Sequence, residues 1–472
     1  MAGQTTTAHS CWTPSRTVVA SYTTTPYNNN KRRQQQQNHG APGDSILAMQ
    51  IGGGRSYDSC PAHNNAAAAA ALALSNGTVQ IYAVDSLRQQ TAVRRRSDTC
   101  VFRAMHCTQQ ASSSCVLLFT AWGDGSVMGT DLRCCGAHNN VLLRNPAAPT
   151  TAIASSSSST NGDDNLLLWT GDAAGSVQCW DPRHWRRPVW QHEQRHPGAA
   201  VTQIEACCAA AAAGSSNAVV VCTTGGSDGR VVMGTTTTTM NTAVRLSAPV
   251  RRLGMSSSSG PRRRQQQRNC FYCITDDEAL HEWSYGDGVV VAVRTTPLQY
   301  WRNRLRNTST SSSSTSCTQQ DVSYLIDCQY NNNNNNNNDE LHIAMGNHNG
   351  ELAIATRTTT PVVGDNNNNN KSTTTDIIRT ANSTGHTTGR MIAWEQPILQ
   401  QESSSSSSSS DYGYCFTAGT DGRLCEWKAG PPPPPAATST VANTSKRQRT
   451  REDSPTTTTA ALLVVPMVLE EE

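Results

Sequence analysis

The sequence predicts an all-β chain folded as a seven-bladed β-propeller, and three observations carry that expectation. A short phrase recurs seven times: a turn pair, then an aliphatic residue and, in most copies, an aromatic residue three positions on. It reads NGTVQIY (76–82), DGSVMGTD (124–131), AGSVQCWD (174–181), DGRVVMG (228–234), DEALHEW (277–283), NGELAIA (349–355) and DGRLCEW (421–427). The turn glycines Gly77, Gly125, Gly175 and Gly229 are separated by 48, 50 and 54 residues, a period that fits one four-stranded unit per repeat. No run of eighteen apolar residues occurs, so nothing reads as a membrane span.

Each copy of the phrase is a strand, a tight turn and a second strand. Asn-Gly, Asp-Gly or Ala-Gly supplies the left-handed turn residue. The aliphatic residue that follows (Val79, Val127, Val177, Val231, Leu280, Leu352, Leu424) is expected between blades. The aromatics Tyr82, Trp180, Trp283 and Trp427 are expected to cover the blade's other side. One sheet cannot bury both its faces, whereas sheets stacked around an axis bury one another. The second copy is weak, and the fifth has Asp277-Glu278 in place of Asp-Gly. The last interval, Gly350 to Gly422, stretches to 72 residues.

The excess length sits in homopolymer tracts: Ser155–Ser159, Ala209–Ala213, Thr235–Thr239, Ser311–Ser314, Asn331–Asn338, Asn366–Asn370 and Ser403–Ser410. Tracts of this kind bury little apolar surface and are expected as disordered loops outside the strands, which a ring tolerates at small entropic cost. Ring closure needs an outer strand for the last blade. Arg16–Tyr22 (RTVVASY) is the candidate, and the run 461–469 (ALLVVPMVL) competes but is interrupted by Pro466. The expected organisation is a mostly disordered arm over 1–45 holding the closing strand 16–22, a propeller over 46–430, and a disordered Pro-rich and basic tail over 431–472.

The chain has 472 residues, 36% of them hydrophobic, and a net charge of +3, too small to argue for nucleic acid. Its 17 cysteines show no framework spacing and the first residues no apolar leader, so reduced thiols in an intracellular protein, in nucleus or cytoplasm or both, are expected.

Several motifs suggest chemistry that their setting contradicts. His192-Glu193-Gln194-Arg195-His196 is a literal H-E-x-x-H, a zinc motif only on a helix, and Pro197-Gly198 follows at once. Gly225-Gly226-Ser227-Asp228-Gly229 matches G-x-S-x-G, but a strand follows it rather than a helix. Cys270 and Cys273 lie three apart on a strand, facing opposite sides, and read as packing residues. The basic clusters Lys31–Arg33, Arg94–Arg96 and Arg262–Arg264 read as solvated loops, with RNA phosphates as the weaker alternative. No catalytic residue, cofactor or metal is expected.

The residues in these repeats resemble WD40 repeats. Gly385-His386 precedes the strand RMIAW (390–394) as a WD repeat's Gly-His does, with Thr417, Asp421 and Trp427 following. The resemblance implies one buried network of His386, Asp421, Thr417 and Trp427, which is structural rather than catalytic. The segments ALALSNGTVQIYAVD (71–85), SVQCWDPR (176–183), NCFYCITDDEALHEWSY (269–285), LHIAMGNHNGELAIA (341–355), TGHTTGRMIAWE (384–395) and CFTAGTDGRLCEWKAG (415–430) are similar to the WD repeat-containing protein 89 family. That resemblance implies a seven-bladed WD40 propeller that binds other proteins, and it brings no defined activity.

Two further features suggest partners. Trp180-Asp181-Pro182-Arg183 resembles the W-D-x-R motif by which some WD40 proteins dock onto the adaptor of cullin-4 ubiquitin ligases; the competing reading is a WD ending followed by a chance Arg. In the tail, Pro431–Pro435 is a stiff spacer, and Lys446, Arg447, Arg449 and Arg451 form a candidate nuclear import signal beside Ser454-Pro455. A solubilising tail is the equal alternative. The expected function is therefore a non-catalytic scaffold for other proteins. A ligase substrate receptor and an RNA-associated or ribosome-assembly factor are the alternatives.

Overall fold

Among the described residues there are seven four-stranded antiparallel sheets, six of them simple meanders in chain order and the seventh completed by the N-terminal strand. The computed structural model describes residues 12–20, 44–52, 69–94, 101–109, 116–132, 140–144, 148–160, 163–209, 219–235, 242–256, 269–286, 289–309, 321–331, 340–361, 372–380, 385–387, 390–395 and 414–429. Contacts divide the chain into Met1–Pro432 and Pro433–Glu472, and every described residue lies in the first unit.

Strand β1 (Trp12–Val19) opens the chain. The first blade is β2 (Ile46–Gly52), β3 (Ala69–Leu74), β4 (Thr78–Ala83) and β5 (Gln89–Arg94). The second is β6 (Phe102–Gln109), β7 (Val116–Trp122), β8 (Ser126–Asp131) and β9 (Asn140–Arg144). The third is β10 (Thr150–Thr160), β11 (Asp163–Asp172), β12 (Val177–Trp180) and β13 (Trp190–His192). The fourth is β14 (Val201–Ala209), β15 (Val219–Gly226), β16 (Arg230–Thr235) and β17 (Thr242–Arg245). The fifth is β18 (Val250–Met255), β19 (Asn269–Thr275), β20 (Ala279–Gly286) and β21 (Val289–Pro297), followed by helix α1 (Leu298–Ser309). The sixth is β22 (Tyr324–Asn331), β23 (Glu340–Gly346), β24 (Leu352–Pro361) and β25 (Ser372–Thr380). The seventh is β26 (Met391–Glu395), β27 (Tyr414–Gly419) and β28 (Arg423–Ala429), with β1 added along β28.

First strands of successive blades neighbour one another all the way round, β26 meeting β2, so they line the axis and the ring is closed. The core is correspondingly divided. Seven apolar clusters lie among the described residues, one between each pair of adjacent sheets. The aliphatic residue after every turn, from Val79 to Leu424, is buried in this core, as are Tyr82, Trp180, Trp283 and Trp427.

The closing strand comes from the N-terminus, but it spans Trp12–Val19 rather than 16–22, so the ring begins ahead of residue 46. Val18 pairs Leu424 and Thr17 pairs Cys425. Arg16 forms an ion pair with the largely buried Glu426, and its guanidinium also reaches the carbonyls of Val84 and Asp85 in the first blade. One side chain thus ties the seventh blade to the first. Tyr22 and the competing run 461–469 lie outside the described residues.

The expectation that every homopolymer tract avoids the strands is corrected by Ser155–Ser159, which lies within β10 and pairs with β11 from Leu168 to Asp164. The ladder satisfies its backbone, Leu166 and Leu168 supply buried apolar surface opposite, and the Ser155 and Ser156 hydroxyls find polar partners. Trp169 Nε1 donates to Ser156 Oγ at 3.1 Å, and Ser155 Oγ lies 2.9 Å from His106 Nε2 in the neighbouring blade. Ala209, Thr235 and Asn331 end their strands, and the other tract residues lie outside the described residues.

Helix α1 is the one helix among the described residues and was not expected from the repeat pattern. Leu298, Trp301 and Leu305 fall on one face and are buried between the fifth and sixth blades. Trp301 lies under the guanidinium of Arg357 at 4.8 Å. Buried Arg357 pairs with both Glu282 and Asp376, so a charged cluster sits inside this interface.

Every first strand carries a register shift after its first or second residue, leaving Leu47, Arg103, Thr151, Thr202, Arg251, Ile326 and Ile392 as bulge residues. Three of them reach to the next blade. Thr151 Oγ1 donates to Val201 O at 2.6 Å, Thr202 Oγ1 to Val250 O at 2.6 Å, and Arg251 Nη2 to Leu325 O at 2.7 Å. The bulge therefore turns these three side chains into latches near the axis.

Candidate protein-interaction surface

The W-D-P-R segment ends β12 and begins the loop to β13. Trp180 is held in the core, its Nε1 donating to Thr170 Oγ1 at 2.9 Å. Asp181 accepts from the Arg183 backbone N–H at 2.9 Å, which closes the turn. The same carboxylate receives Arg183 Nε and Nη2, both at 3.0 Å. The Arg183 hydrogen bond holds the Asp181 carboxyl below its ordinary range, outweighing slight burial. The Arg183 side chain remains 62% exposed. Trp180 is thus a packing residue, Arg183 a surface cation, and Asp181 the group that fixes its direction.

The rest of that loop is also ordered by specific contacts. His184 N–H donates to Asp181 O at 2.8 Å and Val189 N–H to Cys179 O at 2.8 Å. The Trp185 ring packs on Trp180 at 6.2 Å, and Trp190 packs on Trp169 at 5.5 Å. Arg183, His184, Arg186, Arg187 and Val189 are exposed.

In the seventh blade, His386 Nδ1 lies 2.9 Å from Asp421 Oδ1 and its Nε2 2.8 Å from Thr417 Oγ1, which also accepts Trp427 Nε1 at 2.8 Å. The structure brings these four side chains together, largely buried. Burial alone would depress the His386 pKa, but the hydrogen bond it donates to Asp421, with the Cys425 thiol, pushes it up to about 9. Gly419 is required beneath the ring: a Cβ there would meet His386 Nδ1 and Asp421 Oδ1, each at 2.6 Å.

A second histidine of this kind was missed in the sequence. His196, from the H-E-x-x-H stretch, places Nδ1 3.1 Å from Asp228 Oδ1 and Nε2 2.9 Å from Thr224 Oγ1. It lies ahead of β14 as His386 lies ahead of β26, and Gly226 stands where Gly419 does. The signal was present: an Asp-Gly turn with a histidine upstream of the blade's first strand. Arg-His replaces Gly-His, and the position of Trp427 is taken by Gly234, which hid it. Here burial prevails and the imidazole pKa is lowered. His192 lies instead on β13, with Nδ1 3.0 Å from Glu193 O, so the two histidines of the motif do not converge.

Among the described residues no group of three or more His, Cys, Asp or Glu is placed to hold a metal, and no helix is long and apolar enough to cross a membrane. Cys270 and Cys273 lie on β19, where Cys273 is buried. Lys446, Arg447, Arg449 and Arg451, with Lys31–Arg33 and Arg262–Arg264, lie outside the described residues.

No family model and no curated protein matches the chain. Solved structures do. BBS1N, in a crystal structure in complex with ARL6DN and soaked with mercury, has 11% identity and a TM-score of 0.50 over 89% of this chain and 98% of its own. A chain of the mitotic checkpoint complex has 13% identity and a TM-score of 0.48 over 87% of this chain and 96% of its own. At such identities the likeness is one of fold. The chain is a seven-bladed β-propeller.

Proposed function

We propose that this chain is a WD40-type propeller acting as a non-catalytic scaffold for other proteins. The observation that carries the reading is the contrast between a ring latched blade to blade and an ordered, charged loop standing out from it over 181–189. The histidine networks of the fourth and seventh blades support the WD40 assignment, because in both the imidazole links turn Asp to strand Thr. They stiffen blades and sit too deep to meet a substrate. BBS1N was solved in complex with ARL6DN, which agrees with this role.

A second reading is favoured by one observation: Arg183 is exposed while Asp181 fixes it. In that reading W-D-P-R docks the adaptor of a cullin-4 ubiquitin ligase, and the chain is a substrate receptor. The test is affinity purification with quantitative mass spectrometry of wild type and Arg183→Ala. Adaptor and cullin peptides lost in the variant support the ligase reading. Their absence from wild type removes it and leaves the scaffold. Ribosomal proteins in their place would favour the assembly-factor alternative.

A further inference from the structure

We propose that the loop between β12 and β13 is a docking site for an acidic, partly apolar peptide segment of a partner protein, and that Arg186 and Arg187, rather than Arg183, supply its attractive charge. The inference rests on the scaffold reading above and names the chemistry of the partner.

Charge is the first argument. The loop holds one carboxylate, Asp181, and that carboxylate is engaged end-on by both Nε and Nη2 of Arg183. The pair is locally neutral. Arg186 and Arg187 are adjacent and exposed, with Pro188 beside them and exposed His184 two positions before, and no acidic residue follows in the loop. Two uncompensated guanidiniums on one short loop complement a carboxylate-bearing ligand, and each fork can take a carboxylate with two bonds.

Shape and order are the second. Val189 is 64% exposed, the most exposed large apolar residue among those described, and it directly follows the basic pair and Pro188. An apolar anchor beside a basic pair fits a peptide in which acidic and aliphatic residues alternate. The loop is also preorganised. The two backbone bonds, the capping Asp181 and the tilted contact of Trp185 with Trp180 hold it from both ends, so little conformational entropy remains to be lost on binding.

The third argument separates a peptide from nucleic acid. Single-stranded nucleic acid is held by bases stacking on available aromatic faces. Here the loop's two indoles pack on protein rings, Trp185 on Trp180 and Trp190 on Trp169. The exposed residues are three arginines, a histidine and a valine.

The test uses the full-length purified chain and a fluorescein-labelled peptide of alternating glutamate and leucine, read by anisotropy. Wild type is expected to bind it and to release it as salt is raised. The double variant Arg186→Glu/Arg187→Glu should bind at least about tenfold more weakly, because like charges now face each other. It should also gain binding to a lysine–leucine peptide that wild type ignores, a result that misfolding cannot produce. Val189→Ser should weaken the acidic peptide about threefold, consistent with one exposed aliphatic contact. Equal binding by wild type and the double variant overturns the proposal. So does tighter binding of a single-stranded RNA through the same two arginines, which would make the loop a nucleic-acid contact. If wild type ignores the acidic peptide while Arg183→Ala still abolishes adaptor capture, this inference falls and the adaptor-docking reading of the chain as a protein-binding propeller stands.

Discussion

Glu278 holds Arg251 by both ends: Nη1 meets Oε1 at 2.5 Å and Nη2 meets Oε2 at 2.9 Å. Glu278 occupies the turn position that the other six repeats give to glycine, and it does so at φ 61°, in the same left-handed region as those glycines, whose φ runs from 71° to 87°. A side chain there is strained by about 1 kcal/mol. The same carboxylate also accepts the Leu325 N–H at 2.7 Å and Arg390 Nη2 at 2.6 Å, so it joins the fifth, sixth and seventh blades. The clamp offsets the strain. Glu278→Gly should therefore destabilise the chain, by about 2–4 kcal/mol, although it relaxes the backbone. Glu278→Ala should be worse than Gly by about 1 kcal/mol. Denaturant unfolding of the pair checks both; a Gly variant as stable as wild type would mean the clamp contributes nothing.

Two buried histidines should give opposite pH responses. The His386 pKa is raised to about 9, so the folded form holds a proton that the unfolded form loses near its ordinary value. Its contribution is complete below about pH 6.5 and is lost as pH rises towards 9, amounting to at most ~3 kcal/mol. Burial pushes the Asp421 carboxyl up, but His386 draws it below its ordinary value, so that part is lost in acid instead. The His196 pKa is lowered by burial, so the folded form binds its proton less readily than the unfolded one and stability is lost as pH falls below about 6.5. Stability measured from pH 5 to 9 should flatten at the alkaline end in His386→Gln and at the acid end in His196→Gln. Identical pH curves for wild type and both variants would dismiss the argument.

Trp427→Ala should cost about 3–5 kcal/mol, since it removes a fully buried indole and its hydrogen bond to Thr417. His386→Ala should cost about 1–3 kcal/mol through unpaired buried groups. Calorimetric unfolding checks both, and wild-type stability in either would mean the contacts do not matter to folding.

Arg357 is the pivot of the charged cluster beside α1. Burial raises the Glu282 carboxyl despite Arg357, whereas Arg357 and Tyr300 draw Asp376 below its ordinary value, so Asp376 is the firmer anion of the two. Tyr300 hydroxyl donates to Asp376 at 2.6 Å, which fastens the helix to the sixth blade. Arg357→Met should cost about 3–5 kcal/mol, because it leaves buried carboxylates without their cation. Hydrogen exchange should show α1 losing protection first; protection unchanged in α1 would detach the helix from this cluster.

What was legible in the sequence was what repeats. Seven turns with a buried aliphatic behind each give blade number and register, because period-two burial between sheets leaves little choice. The seventh-blade tetrad was legible because all four of its residue types stand at their places. The fourth-blade histidine was obscured by the missing Gly and Trp, and α1 by a single buried stripe too short to contrast with the surrounding strands. Ser155–Ser159 misled because composition reports what a tract can bury, not whether a leucine-rich neighbour will pair with it. Glu278 was recognised as odd, but its partners come from three blades and no local pattern announces them.

The W-D-P-R segment separates docking from packing within four residues. Arg183 is 62% exposed, and it holds both oxygens of Asp181. Arg183→Ala should leave the melting temperature nearly unchanged, while Trp180→Ala, which empties a core site, should lower it strongly. If Arg183 is the adaptor contact, its loss should cost at least about 2 kcal/mol of binding, roughly thirtyfold in affinity. Arg183→Lys should fail almost as badly, since an ammonium cannot take both oxygens of Asp181 while presenting a planar edge outward. Asp181→Asn keeps the size of that side chain and removes its charge. If Asp181 aims the guanidinium, the Asn variant should bind more weakly than wild type. If Asp181 merely competes for it, the Asn variant should bind more tightly. Co-purification of the adaptor with each of the four variants, at equal folded protein, reads the difference. An adaptor signal that is the same in wild type and Arg183→Ala excludes W-D-P-R as the contact.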